Sequence, residues 1–280
     1  MTPEILLEEL LSEISSFVLS DKGNELPDGG SYFDQPLVGV AAGDNPLFDK
    51  FRDAVGPFHW LPGEVMTRAG FAPLGQPTSV ISWVLPINLA VRESNRLEKV
   101  FPSRKWALTR NFGEIFNTNL RRHVVEWFTV RGIAAAAPQL VAGWCQVNDG
   151  PNGIASTWSE RHAAYAAGLG TFSLNDGLIT ERGIAHRLGS VVAAVALPAT
   201  SRGDTGLYDN CLYHRLGRCG VCISRCPVKA LSGKGHDKPA CMEHVYGTAQ
   251  RQVGELYGVK QTGCGLCQTS VPCEATNPCR

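Results

Sequence analysis

The stretch CGVCISRCP, residues 219–227, sets Cys219, Cys222 and Cys226 at x2 and x3 spacing and closes on Pro227. Two thiolates separated by two residues sit on one tight turn and face one metal centre, and a Cys-x3-Cys-Pro exit ends runs that ligate [4Fe-4S] clusters. Such a run normally carries one more cysteine three positions before Cys219; here the preceding cysteine is Cys211. A second set, CGLCQTSVPC at 264–273, supplies Cys264, Cys267 and Cys273, with Cys241 alone between the two sets. Of ten cysteines only Cys145 lies before position 211. In a reducing compartment such crowding means metal rather than disulfides.

In two-cluster ferredoxins the fourth cysteine of a run ligates the other cluster, because the proline turns the chain away. By that logic Cys211, Cys219, Cys222 and Cys273 hold one cluster, and Cys226, Cys241, Cys264 and Cys267 hold the second. Cys279 competes with Cys273 for its place. Eight thiolates also suffice for two tetrahedral zinc ions, the alternative that leaves the protein colourless. The last eighty residues carry ten Lys and Arg against six Asp and Glu, a surplus that offsets the roughly −2 charge of each oxidised, thiolate-ligated cluster.

Working back towards the N-terminus, the composition changes. Residues 201–280 are rich in Gly and Cys with few apolar runs, so their compactness is expected from metal bonds. Residues 1–200 have the mixed helical and strand periodicities of a layered α+β body. Strands are expected at Pro36–Ala41 and Thr78–Ile87, and two more at Asp176–Thr180 and Arg187–Ala196, joined by a turn at Glu181–Gly183. Helices are expected at the N-terminus, from Asn45-Pro46 through Val55, towards Val100, over Trp106–Val130, and over Trp158–Ala167 with Gly168 as its stop. Cys145, isolated beside Trp144, reads as a buried small hydrophobe.

Net charge is zero, with 26 Lys and Arg against 26 Asp and Glu, so no overall field draws the chain to polyanions. The first helix alternates Leu6, Leu10 and Ile14 with Glu4, Glu8 and Glu13 and lacks the basic start of a signal peptide. The longest apolar run is far short of a membrane span. A cytoplasmic protein with no membrane contact is expected.

The segment ERHAAYAAGLG at 160–170, followed by Asn175, by Gly189-Ser190 opening a strand, and by the two cysteine sets, resembles the epoxyqueuosine reductase family, to which reductive dehalogenases are related. YFDQPLVGVAAGDNPLF at 32–48 looks typical of a shorter subgroup. The resemblance implies a nitroreductase-like α/β body followed by a ferredoxin-like double [4Fe-4S] module, with base-off cobalamin held by the body and reduced by the module. Glu160, Arg161, Gly168, Gly170 and Asn175 would then shape the cofactor site. Departures are specific. The family's proton-donating Asp, six positions before the Glu-Arg pair, is Ile154; its Gly-Lys-Asn is Ser173-Leu174-Asn175; its Arg-Asp-Tyr-His is Arg110-Asn111-Phe112-Gly113. The sequence stops after the second cysteine set, where tRNA-modifying members continue into helical repeats, so tRNA is not the expected partner.

Tyr165 and Asp176 are the candidate proton donors in a catalytic pocket. Equally open readings make Tyr165 a packed phenol, Asp176 a turn residue, and Glu160 with Arg161 a helix-surface ion network. Two functions follow. One is an iron–sulfur reductase, corrinoid-dependent, drawing on a ferredoxin or flavodoxin and acting on a small molecule. The other is a non-catalytic electron carrier serving a partner enzyme or corrinoid protein.

Overall fold

The computed structural model describes residues 2–72, 75–203 and 206–280. In chain order the first part comprises α1 (Pro3–Ser20), β1 (Leu37–Ala42), α2 (Leu47–Ala54), α3 (Pro62–Arg68), β2 (Ser79–Pro86), α4 (Leu89–Arg96), α5 (Arg104–Thr129) and β3 (Ala135–Ala136). It continues through β4 (Gln146–Gly150), β5 (Gly153–Ser156), α6 (Glu160–Ala166), β6 (Gly170–Phe172), β7 (Leu178–Thr180) and β8 (His186–Ala193).

Four strands form one antiparallel sheet in the order β1-β2-β8-β3. β2 is buried along its whole length, because helices cover both faces. Ile81, Trp83 and Leu85 point into one core with Leu10 and Ile14 of α1 and Phe116, Leu120 and Val124 of α5. Val80 and Val192 point the other way, onto Phe48 and Phe51 of α2, Val65 of α3 and Ala163 and Tyr165 of α6. The strand period of two thus splits the sheet between two apolar layers.

Local chemistry sets the element ends. Thr2 caps α1 by accepting from the Ile5 amide, and Ser103 caps α5 by accepting from Trp106 at 3.2 Å. Asn45 accepts from Leu47 at 3.0 Å just before α2. On the sheet, Gly189 pairs with Trp83, and a Cβ there would strike the indole, whose Nε1 donates to Asn117 at 2.8 Å.

Both strands expected on either side of Glu181–Gly183 form, with shorter bounds, but they lie in different sheets. Leu178–Thr180 pairs with Gly170–Phe172, outside the main sheet, and β8 belongs to the sheet beside β2. Asp176 and Gly177 form a turn, with Asp176 at φ 60°. Strands of three residues have too short an alternation to reveal their partner. Cys145 is also corrected: it is exposed, at the base of the β4–β5 hairpin.

The remainder holds only short elements: α7 (Leu212–Leu216), α8 (Val221–Arg225), a two-residue ladder of β9 (Leu231–Ser232) with β10 (Gly235–His236), and α9 (Lys238–Met242). α9 runs on through π-helical turns at Glu243–Thr248 and Gln250–Gly254 into α10 (Glu255–Tyr257). Polar latches fasten this region to the first. The Ile184 amide donates to the Cys273 carbonyl at 2.8 Å, and Ala185 to Glu274 at 3.2 Å. The Glu274 carboxylate, 6% exposed, accepts from Arg92 at 3.1 Å and Arg96 at 2.7 Å. Arg225 donates to the carbonyls of Asn95, Glu98, Leu266 and Thr269, tying α8 to the end of α4 and to the second cysteine set. Among the described residues no helix is long and apolar enough to cross a membrane.

Candidate functional site

Four cysteines from three separate stretches, Cys211, Cys219, Cys222 and Cys273, line one small cavity together with Leu174 and Ile184. The surrounding cluster adds Ile179 and Val271, so the thiols lie against apolar walls. Burial raises the Cys222 thiol to about 11, and the neighbouring Cys219 and Cys211 add to the rise. Cys273 is pushed up to about 12 by burial and by the same three thiols. The other four sense one another in the same way. Burial lifts Cys264 to about 11 with Cys241 and Cys226 contributing, and Cys267 rises further with Cys264 and Cys241 beside it. Thiols that repel each other's charge in a dry pocket are the setting in which a bound metal supplies the missing counter-charge.

Among the described residues no three His, Cys, Asp or Glu side chains are arranged to hold a single metal ion. Cys279 does not line the cavity: its amide donates to Asn277 and its carbonyl accepts from Arg215.

Next to the cysteines, charged groups from both regions meet. Glu114 of α5 accepts from Arg187 of β8 and, at 3.0 Å, from Arg121. Burial alone would raise Glu114, but Arg187, Arg121 and Arg110 outweigh it and hold the carboxyl at about 2. Glu160 lies inside this network and not on a helix surface. It is 9% exposed, accepts from Ser190 at 2.5 Å and from Arg121 at 3.4 Å, and burial raises its pKa against both partners. Arg161 is exposed and donates to the Asp176 carbonyl at 2.5 Å, and the protein around it disfavours its charge and lowers its pKa. His236 donates to the Asp176 carboxylate at 3.0 Å, and the Cys241 thiol is near enough to act on its charge. Burial works against its charge, yet those two partners lift His236 to about 9. Asp176 moves the other way: His236, Lys238 and Arg161 overcome burial and lower it. Lys238 reaches the Asn152 carbonyl at 2.8 Å and Asp176 at 3.9 Å, closing the β4–β5 hairpin over the site.

Of the remaining expected residues, Tyr165, Gly168 and Gly170 lie away from these charged groups, whereas Asn175 lines the cysteine cavity. Tyr165 is 6% exposed, packs on Phe51 and Phe172, and carries the Arg202 guanidinium over its ring. Gly168 has φ 74° and ends α6, and Gly170 lies so close to Ile179 that a Cβ would collide with its carbonyl. Asn175 is a fastener. Its Nδ2 donates to the Cys267 carbonyl at 3.0 Å while its Oδ1 accepts from Ser173 and Gly177. Sequence reasoning missed Glu114, Arg187, Lys238, His236 and Tyr246. GKGHDK at 233–238, between the two cysteine sets, is the signal that pointed to two of them. A larger cavity, about 880 Å³, lies between α2, α3 and the start of β2, and none of the expected site residues lines it.

No family model matches the sequence, and neither does any curated protein. Solved structures do match. A selenomethionine-labelled epoxyqueuosine reductase superposes with TM-score 0.57 at 15% identity, over 98% of this chain and 66% of that one. The epoxyqueuosine reductase of Bacillus subtilis, with its catalytic loop swung out of the active site, gives 0.55 at 17% over the same shares. A catabolic reductive dehalogenase in complex with 3-bromo-4-hydroxybenzoic acid gives 0.52 at 15%, over 98% of this chain and 37% of that one. The chain therefore spans just under two thirds of the length of the first two. It carries, over nearly its whole length, the fold that epoxyqueuosine reductase shares with the reductive dehalogenases.

Proposed function

We propose that this protein is an iron–sulfur reductase that passes low-potential electrons through two [4Fe-4S] clusters to a corrinoid and so to a small-molecule substrate. Residues 1–200 form the corrinoid and substrate domain, and 201–280 the two-cluster module. The observation that carries the reading is the cavity lined by Cys211, Cys219, Cys222 and Cys273, whose membership is the crossed arrangement of a two-cluster module. Cys226, Cys241, Cys264 and Cys267 hold the second cluster, and the Ala230 amide donates to Cys226 Sγ at 3.2 Å. Hydrogen bonds to ligand sulfurs raise a cluster's potential.

Near Cys241, Arg161 and Tyr246 are exposed and Lys238 is half-buried, donors of the kind that a polar, amide-rich macrocycle needs. These residues would hold cobalamin, which supplies a strongly reducing and nucleophilic metal when bound. Asp176, kept ionised by His236, and His236, kept protonated by Asp176, are the proton-handling pair of the cleft. Electrons come from a ferredoxin or flavodoxin.

A second reading, an electron carrier without chemistry of its own, is favoured by one feature. Ile154 stands where the family's proton-donating Asp is expected, and Lys238 holds its carbonyl at 3.4 Å. Anaerobic reconstitution with iron and sulfide, with and without hydroxocobalamin, separates the readings. About eight iron atoms and one retained cobalt per chain support the reductase. Eight iron atoms and no cobalt sink the corrinoid part and leave the carrier. A colourless protein that takes up zinc instead sinks both.

A further inference from the structure

Between Asn210 and His236 the chain carries Arg215, Arg218, Arg225, Lys229 and Lys234 and not one Asp or Glu. Arg225 is turned inward, onto the carbonyls that tie α8 to α4. Arg215, Arg218 and Lys234 are exposed, and they gather around α7. Arg215 lies in that helix and donates to the Cys279 carbonyl at 3.0 Å, and Arg218 follows its left-handed stop at Gly217. Lys234 belongs to the β9–β10 turn, which touches α7: a Cβ on its neighbour Gly233 would stand 2.7 Å from the Tyr213 hydroxyl. Apolar side chains share the face. Leu216 is 55% exposed, Leu207 44% and Tyr208 40%, and the Tyr208 ring stacks on His214 of α7 with centres 4.2 Å apart. Exposed apolar groups ringed by charge of one sign are the make-up of a transient protein interface.

The same segment carries three of the four cysteines that line the small cavity. Two successive residues at positive φ, Cys219 at 121° and Gly220 at 125°, make the turn into α8. Among the described cysteines assigned to a cluster, Cys219 alone is exposed. The second set leads on to the polar groups of the body: Cys241 stands on α9 one turn from Lys238, whose ammonium reaches the Asn152 carbonyl at 2.8 Å. Cys222 lies within α8 and Cys226 caps it, one cysteine from each set, about 6 Å apart along the helix axis. An exposed ligand, a short helix and the corrinoid-side groups thus stand in series.

We propose that the face formed by Arg215, Leu216, Arg218 and Lys234 docks an acidic electron-carrier protein, which delivers electrons one at a time to the cluster of Cys211, Cys219, Cys222 and Cys273. This deepens the reductase reading and rests on it. In each transfer the reduced carrier loses one electron and that cluster gains it, with no bond made or broken, and the second cluster takes the electron on across α8. The positive face steers an acidic carrier in and repels a basic one.

The probe is a plant-type [2Fe-2S] ferredoxin, an acidic carrier of about −400 mV. Binding of the oxidised ferredoxin to cluster-loaded protein is read by calorimetry, and the anaerobic reaction with the reduced ferredoxin by stopped-flow absorbance. A saturable complex that weakens as salt is added is expected. Combining Arg218→Glu with Lys234→Glu should weaken binding and slow the bimolecular reduction about tenfold or more. Lys99→Glu, an exposed position just past α4, where Arg225 holds the Glu98 carbonyl at 2.9 Å, should leave both unchanged. Absence of a saturable complex, or a double variant equal to the parent, overturns the proposal. A loss in Lys99→Glu as large as in the double variant also overturns it, because the attraction is then not local to this face. Iron counts and bleaching by dithionite are taken on the same samples. Protein that dithionite bleaches but ferredoxin does not bind sinks the docking face and leaves the reductase reading, whereas protein that holds no cluster yet binds ferredoxin with this charge dependence does the reverse.

Discussion

The two regions of the molecule are held together by different physics. The body buries long apolar side chains on both faces of one sheet, Trp83, Phe116 and Phe128 among those almost fully enclosed. The cysteine-rich region buries few, chiefly Leu231, Val253, Val259, Leu266 and Val271, and is fastened by Glu274, Arg225 and Asn175. Apolar burial stabilises by roughly 25 cal/mol per Å², a sum the body can collect and the smaller region cannot. The smaller region therefore draws its order from its seat on the body and, on the proposed reading, from metal–sulfur bonds.

Removing the metal is the strongest way to break that contrast. Chelation of reconstituted protein, or Cys222→Ser with Cys267→Ser, should expose 207–280 to hydrogen exchange and proteolysis while the body's strands stay protected. Equal protection of both regions in the metal-free protein would remove the distinction. Next comes the latch. Glu274→Ala leaves Arg92 without its buried carboxylate partner, while the more exposed Arg96 can turn to water, and should cost about 3 kcal/mol, read in urea unfolding as early release of the cysteine region. Leu120→Ala should cost about 2–4 kcal/mol and act on the body's transition instead. If it lowers both transitions equally, the two regions unfold as one unit.

Acid sharpens the comparison further, because its targets lie in the body. Burial lowers His59 to about 4 and His162 to about 3, with Arg52 aggravating the first and Arg161 the second. Both are neutral in the fold and bind protons more readily when unfolded, so the stability they permit is complete above pH 6.5 and declines as pH falls towards 4. For His59, 1% exposed, the loss reaches about 3 kcal/mol. Glu114 follows at lower pH: its contribution is present above about 4.5 and vanishes as pH falls through 2. Thermal midpoints measured from pH 7 to 3 should fall, and His59→Gln should flatten the upper part of that curve. An unchanged slope would mean these imidazoles are not kept neutral.

Much of this architecture is legible in the sequence alone. The x2 and x3 spacings single out the cysteines, four of which line one cavity, because short loops force neighbouring thiols towards one centre. β2 and α5 are legible because eight and 26 residues give periodicity room to repeat. The β6–β7 pair is not, and neither is the Glu114–Arg187 contact, which spans 73 residues and has no local pattern. Glu160 shows the same limit. Its place at the start of a helix reads as surface, and only the approach of β8 and α5 encloses it. Exposure of Cys145 likewise depends on a hairpin whose Gly- and Asn-rich strands carry little apolar signal.

Gly183 sits with φ 78° where a Cβ would collide with the Glu274 backbone. The turn after β7 is thus a bare mould against which residues 273–275 are cast, and the mould must exist before the casting. During synthesis the N-terminal part folds first, so the turn waits, finished, for a segment about ninety residues downstream. On the proposed reading, cluster assembly is then the closing act of biogenesis, and a machinery that loads iron and sulfide would meet a body whose side of the joint is already in place.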